Sequence, residues 1–133
     1  MIVVGIDPHM KTRTAVAIEA ASGRRLGEKT VARDQAGHDE LLTWARSLGR
    51  ERFFALEDCR HVSGRLERHL LPRGERLVRV PPKLMARARS AARSYGKSDA
   101  IDAECVARAA LREPQLPAAE LAGPERDLRL LVD

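Results

Sequence analysis

The sequence predicts an α/β domain built on one mixed β-sheet, antiparallel on one side and parallel on the other, with helices on both faces. Two observations predict it. Three short apolar runs follow one another at the start with turn residues between them, which is the pattern of antiparallel hairpins. After them, strand-like and helix-like stretches alternate, and alternation requires parallel strands joined by crossover helices. The size agrees, because 133 residues, 44% of them apolar, make one domain able to bury a core.

Each element has its own signal. Ile2, Val3, Val4 and Ile6 form the first run, dense enough for a strand covered on both faces, and it stops at Asp7-Pro8. Thr14 to Glu19 is the second strand, and Ser22-Gly23 turns the chain into a third, Arg25 to Val31. Past Gly37, the stretch His38 to Leu48 sets Leu41, Ala45 and Leu48 at helical spacing, with Leu42 and Trp44 flanking, and Gly49 ends it. Arg52 to Glu57 reads as a buried strand, Val62 to Leu71 as a helix broken by Pro72 and Gly74, and Arg76 to Val80 as a strand stopped by Pro81-Pro82. Pro82 to Arg93 is helical, Ser94 to Lys97 a loop, and Ser98 to Leu111 a helix ending before Pro114. Residues 113 to 124, with Pro114, Pro117 and Pro124, read as a linker, and Glu125 to Asp133 as the start of a further helix. The order βββαβαβα is the layout of ribonuclease H-like folds. The same opening begins the actin-like ATPase fold, so a kinase or ATPase fragment is an alternative. It requires a second phosphate loop rich in Gly and Thr with its own Asp, and the sequence has none.

Charge is unevenly placed. The chain carries 24 Lys and Arg against 19 Asp and Glu, a net +5. Residues 60 to 97 hold eleven of the basic residues and two acids, Glu67 and Glu75, a net +9 that leaves −4 for the rest. A basic middle points to a polyanion such as DNA or RNA, held through phosphates by residues such as Lys83, Arg87, Arg89, Arg93 and Lys97. A solvated arginine-rich surface is the plainer alternative. Trp44 and Tyr95 are too few for a base-stacking platform, and His38, His61 and His69 have no metal-ligand spacing. Cys59 and Cys105 belong to no Cys-x-x-Cys pair and read as buried, reduced thiols. No run approaches a membrane span and the first residues lack a secretory signal's basic region, so a cytoplasmic, membrane-free protein is expected.

The carboxylates carry the chemistry. Asp7 is the first charged side chain and closes the first strand; Glu57 closes the fourth in the same way. Strand ends are where α/β sheets build their sites. Asp99 and Asp102, three apart, share one face of the last helix, and that face continues through Val106 and Ala109 toward the protein. Two readings stand side by side. Acids in a first helical turn behind Ser98 are favoured by the helix dipole and need no other role. Inward carboxylates repel one another unless a cation lies between them, and an all-oxygen set suits magnesium or manganese.

Taken together, Gly5-Ile6-Asp7-Pro8-His9, the strand-final Glu57 and Tyr95-Gly96-Lys97-Ser98-Asp99-Ala100-Ile101-Asp102-Ala103 with Ala107 to Glu113 after it resemble the DEDD, RuvC-like domain of transposases of insertion-sequence family one-ten, relatives of the Piv-type invertases. The resemblance implies that residues 1–116 form the catalytic domain and that 117–133 lead to a C-terminal domain bearing a nucleophilic serine. It implies that Asp7, Glu57, Asp99 and Asp102 are catalytic and hold two Mg2+, with Mn2+ able to substitute. It also implies DNA as substrate, a guide (bridge) RNA, and a homo-oligomer in the full-length protein. The chain departs from the family at two places: Met10 then Lys11 follow His9 where members often have Lys directly, and Arg13 stands where His is frequent. A non-catalytic, basic nucleic-acid-binding module, with its acids serving only as caps, is the remaining alternative.

Overall fold

The structure, a computed structural model, describes residues 1–8, 11–57, 60–85, 99–113, 116 and 118; at 8, 60–63 and 99 it describes the backbone alone. Strands β1 (Ile2–Pro8), β2 (Thr12–Glu19), β3 (Arg25–Ala32), β4 (Arg52–Glu57) and β5 (Leu77–Val80) form one sheet in the order β3-β2-β1-β4-β5. β1 pairs antiparallel with β2, and β2 with β3; β1 and β4 pair in parallel, as do β4 and β5. The mixed sheet expected from the sequence is the one formed.

Alternation along the strands sends side chains to two separate cores. Ile2, Val4 and Ile6 of β1, with Phe54 and Leu56 of β4, meet Leu41, Leu42 and Ala45 of helix α1 (Gln35–Leu48) and Leu66 and Leu70 of helix α2 (Arg60–Leu70). Val3, Val16, Ile18, Ala55 and Val80 face the other way, onto Ala103, Val106, Ala107 and Ala110 of helix α3 (Asp99–Arg112). Cys105, buried as expected, belongs to this second core; Cys59 lies outside the described residues. Helices therefore cover both faces, and among the described residues none is long and apolar enough to cross a membrane.

Local chemistry explains where the helices differ from the sequence reading. α1 begins at Gln35, three residues before the expected His38, because the Asp34 carboxylate accepts from the Gly37 amide at 2.7 Å and caps it. Gly37 belongs inside that first turn because a Cβ there would strike the backbone of Ala32. α2 ends at Leu70 and tightens into a 3-10 turn, Leu71–Arg73, at Pro72, and Gly74 closes it in the left-handed region at φ 84°. The linker expected at 113–124 and the helix expected at 125–133 fall largely or wholly outside the described residues.

The two acids of the basic stretch are both committed to packing. Glu75, buried beside the start of β5, receives Arg52 at 2.6 Å and Arg46 of α1 at 3.1 Å on one carboxylate oxygen. Glu67 of α2 holds Arg79 of β5 in a two-pronged pair at 2.7 and 2.8 Å. At the free edge, β3 exposes Arg25 and Glu28, which pair with each other at 3.1 Å, and Lys29 reaches Glu40 of α1.

α1 and α2 also meet through two histidines. The His38 and His69 rings pack edge to face at 5.5 Å, and both are more than nine-tenths buried. His69 Nε2 lies 2.9 Å from the Asp39 carboxylate. Burial, then the charges of Arg13 and His69, push His38 down to about 4, against a weaker pull from Asp34 and Asp39. Burial and Arg73 lower His69 as well, with Asp39 opposing. Both rings are therefore neutral in the folded protein near pH 7. An unfolded histidine takes up its proton near pH 6.5, so stability held above that pH is lost as pH falls from 6.5 toward 4. For His38 the loss amounts to about 3 kcal/mol. We expect His38→Leu to flatten this acid limb of the stability profile, measured by urea unfolding at intervals between pH 7 and pH 4; an unchanged slope would refute the assignment.

Candidate active site

The site grows from the register of the central strands. β1 and β4 run in parallel with Ile6 beside Leu56, so Asp7 and Glu57 are the next residues on two adjoining strands. Neighbouring strands lie about 4.8 Å apart, which makes these two side chains lateral neighbours. Gly5 and Ala55, two residues earlier on each strand, lie on the α3 side, and alternation sends Asp7 and Glu57 to that side too. Register extends the row in both directions: Thr30, Thr14, Asp7, Glu57 and Val80 stand side by side across the five strands. Thr14, 3% exposed, shares a 3.0 Å hydroxyl–hydroxyl hydrogen bond with Thr30 and flanks Asp7 directly.

α3 closes this face, and glycine decides how closely. A Cβ on Gly5 would overlap the Ala103 carbonyl oxygen and come within 2.6 Å of the Ala107 amide nitrogen and 2.8 Å of its Cβ. Only a residue with no side chain admits the helix at this depth. The helix direction follows from its ends. Ala110, Leu111 and Glu113 share a pocket with Met1 and Ala20 at the start of β1, and Arg108 donates to the Gly23 carbonyl in the β2–β3 turn at 3.3 Å. α3 thus runs antiparallel to β1, and its N-terminal turn sits at the edge where Asp7 and Glu57 stand. Asp99 opens that turn, and Asp102, partly buried, follows on it.

The backbone brings Asp7, Glu57, Asp99 and Asp102 to one edge of the sheet and to one face, although the Asp99 side chain lies outside the described part. Val106 and Ala109, on the same helical stripe as Asp102, are buried as expected. Among the described residues, no three His, Cys, Asp or Glu side chains are gathered closely enough to enclose a metal ion. The donor chemistry nevertheless fits a hard divalent cation, since every candidate ligand is a carboxylate. Lys83 is exposed in a helical stretch at 82–85, just past the end of β5 at this same edge. Arg87, Arg89, Arg93 and Lys97 lie outside the described residues. Sequence reasoning missed Thr14 and the role of Gly5; pairing the first hairpin residue by residue would have found Thr14.

Comparison with known proteins places the chain in a family and confirms the fold. A family model for DEDD transposases of insertion-sequence type one-ten, described as "Transposase", matches residues 4–133. The chain belongs to this transposase family. No curated protein matches it. Among solved structures, RuvC from Thermus thermophilus superposes with a TM-score of 0.66 at 15% identity, covering 90% of this chain and 100% of that one. T. thermophilus RuvC in complex with its Holliday junction substrate gives 0.61 at 15% identity, covering 90% and 99%. At this identity the likeness establishes the fold, which is RuvC-like and ribonuclease H-like, as the strand order had implied.

The Gly5 contact has a measurable consequence. Gly5→Ala must push α3 off the sheet or distort β1, and we expect a loss of about 3 kcal/mol or more in denaturant unfolding. An alanine variant as stable as the parent would show that the helix does not rest where described.

Proposed function

We propose that this domain is the metal-dependent catalytic half of a DNA transposase. Asp7, Glu57, Asp99 and Asp102 would be its metal ligands, and a serine of a separate C-terminal domain the attacking group. The observation that carries the reading is the register-matched pair Asp7 and Glu57 at the ends of adjoining parallel strands, on the face closed by the helix that bears the other two acids. A helix-capping role accounts for Asp99 and Asp102 but leaves the strand-final pair without a reason. Membership in the transposase family and the RuvC-like fold support the same reading.

Asp7 and Glu57 would hold the ion from the rigid strand ends, and Asp99 and Asp102 would hold it from the helix, each offering only oxygen. When bound, Mg2+ or Mn2+ supplies charge that offsets the carboxylates and polarises the phosphodiester under attack. The sheet fixes the spacing of the first pair and the Gly5 contact fixes the helix above it. DNA is the substrate in this reading, a guide RNA and further copies of the protein its partners, and Lys83, Arg87, Arg89, Arg93 and Lys97 its phosphate contacts. Residues 1–116 would make the catalytic domain and 117–133 the connection to the serine-bearing one.

Two outcomes test this. Asp7→Asn and Asp102→Asn should each reduce Mn2+ affinity in calorimetry and metal-dependent DNA cleavage by about 100-fold or more. Their metal-free melting temperatures should hold or rise, because one of several like charges has gone. Wild-type Mn2+ affinity in either variant would defeat the assignment. Second, the 133-residue chain incubated with magnesium, DNA and guide RNA should give no strand exchange, while a protein that includes the serine-bearing domain does. Exchange by the 133 residues alone would overturn the division of labour.

A further inference from the structure

The face of the sheet opposite the acids carries its own concentration of chemistry. Between the end of β3, the first turn of α1 and the side of α2 lies a cleft of about 370 Å3. Arg33, Arg65, Arg68 and Arg73 surround it, and His38 and His69 form part of its wall. Among the described residues, Asp34 is the one acid lining it, and that carboxylate already caps α1 through the Gly37 amide. The other nearby acids are turned elsewhere: Asp39 to His69, and Glu67 to Arg79 on β5. Among the described residues, no carboxylate pairs with Arg33, Arg65 or Arg68.

Four guanidinium groups around one cleft repel one another unless an anion sits among them. The wall asks for a ligand as well. His38 is 3% exposed, and its buried Nε2 has no hydrogen-bond partner among the described residues. An unsatisfied buried polar nitrogen costs about 1–3 kcal/mol, which a ligand oxygen would recover. Behind it lies Arg13, 1% exposed, whose positive charge faces Arg33 and Arg65 and is held below its ordinary range chiefly by burial. Forked guanidinium donors match the oxygens of phosphate in pairs, and a neutral imidazole N–H adds a further donor.

We propose that this cleft is a phosphate-binding subsite for a nucleic-acid strand, with Arg33, Arg65 and Arg68 clamping the phosphate and His38 donating from the wall. The choice of a nucleic acid as carrier rests on the function proposed above. β3 and β1 run in the same direction, so Arg33, just past Ala32, stands at the same sheet edge as Asp7 and Glu57. A strand that crosses this edge reaches the acids on one face and the arginines on the other. The phosphate is either an internal phosphodiester or a strand end.

The test follows the histidine ring signals of the full 133-residue chain by NMR, with EDTA present so that no metal enters at the acids. The probes are inorganic phosphate and a short single-stranded oligonucleotide with or without a 5′-phosphate. We expect each phosphate-bearing probe that binds to shift the His38 signal saturably. Arg65→Ala/Arg68→Ala should weaken that response about ten-fold or more, and Arg24→Ala, at the distant β2–β3 turn, should leave it unchanged. Arg65→Gln alone, a surface exchange, should weaken it in the same direction and guards against a folding defect in the double variant. Equal responses to the two oligonucleotides assign an internal phosphodiester, and preference for the phosphorylated one assigns a strand end. His38 signals unmoved by every probe, or a double variant that responds like the parent, would overturn the proposal. Asp7→Asn should keep the response, so loss of metal binding and loss of phosphate binding are read separately.

Discussion

Everything at the acid edge depends on how closely α3 lies against β1. The gap is set where Gly5 meets the backbone of Ala103 and Ala107, and no side chain fits between them. Ala55 beside it on β4, and Ala103, Ala107 and Ala110 on the helix, extend the same small-residue contact sideways. Larger residues would serve the hydrophobic effect as well or better, so area burial does not explain this choice. Depth does: a helix seated lower brings its first turn level with the strand ends, and Asp99 and Asp102 with it. The stability of the second core and the layout of the site are one packing problem.

Much of this was legible from residue order alone. Strand-forming runs, a hairpin turn and alternating helices sufficed for the mixed sheet, because each is a local pattern whose period matches its element. Asp7 and Glu57 stand out in the sequence because a polar residue ending a buried strand differs from its neighbours. What stayed hidden depends on contacts between distant segments. The early start of α1 turns on one carboxylate reaching one amide, a signal that Asp34 gives but that Gly37 disguises by looking like a boundary. The arginine cleft gathers residues 33, 38, 65, 68, 69 and 73 from β3's end, two helices and the 3-10 turn after α2, and sequence spacing says nothing about that meeting. His38 and His69 had no ligand spacing, yet they pack ring against ring. The net charge of the basic stretch also conceals a division, since Arg79 is tied to Glu67 while Arg65 and Arg68 pair with no carboxylate among the described residues.

At the edge where β1 and β4 end, the two faces of the sheet gather different groups. Asp7, Glu57 and Asp102 stand on the α3 side, and Arg33, Arg65, Arg68 and Arg73 surround the cleft on the α1–α2 side, with the sheet between them. Within one small domain this separation matters, because arginines placed among the acids would pair with them. The sheet acts as a partition that allows both charges to be concentrated at one edge without neutralising each other.

The outer margin of that partition has a consequence for how copies of the protein can associate. Among the described residues β3 is an edge strand, and it presents Arg25, Glu28 and Lys29 along its length and ties them to one another and to α1. The register slip between Ala17 and Ile18 of its partner strand adds local irregularity. Charged side chains and irregular pairing are how natural sheets resist edge-to-edge growth. Association through this margin would have to break those ion pairs, which makes it a costly place for a further strand to add.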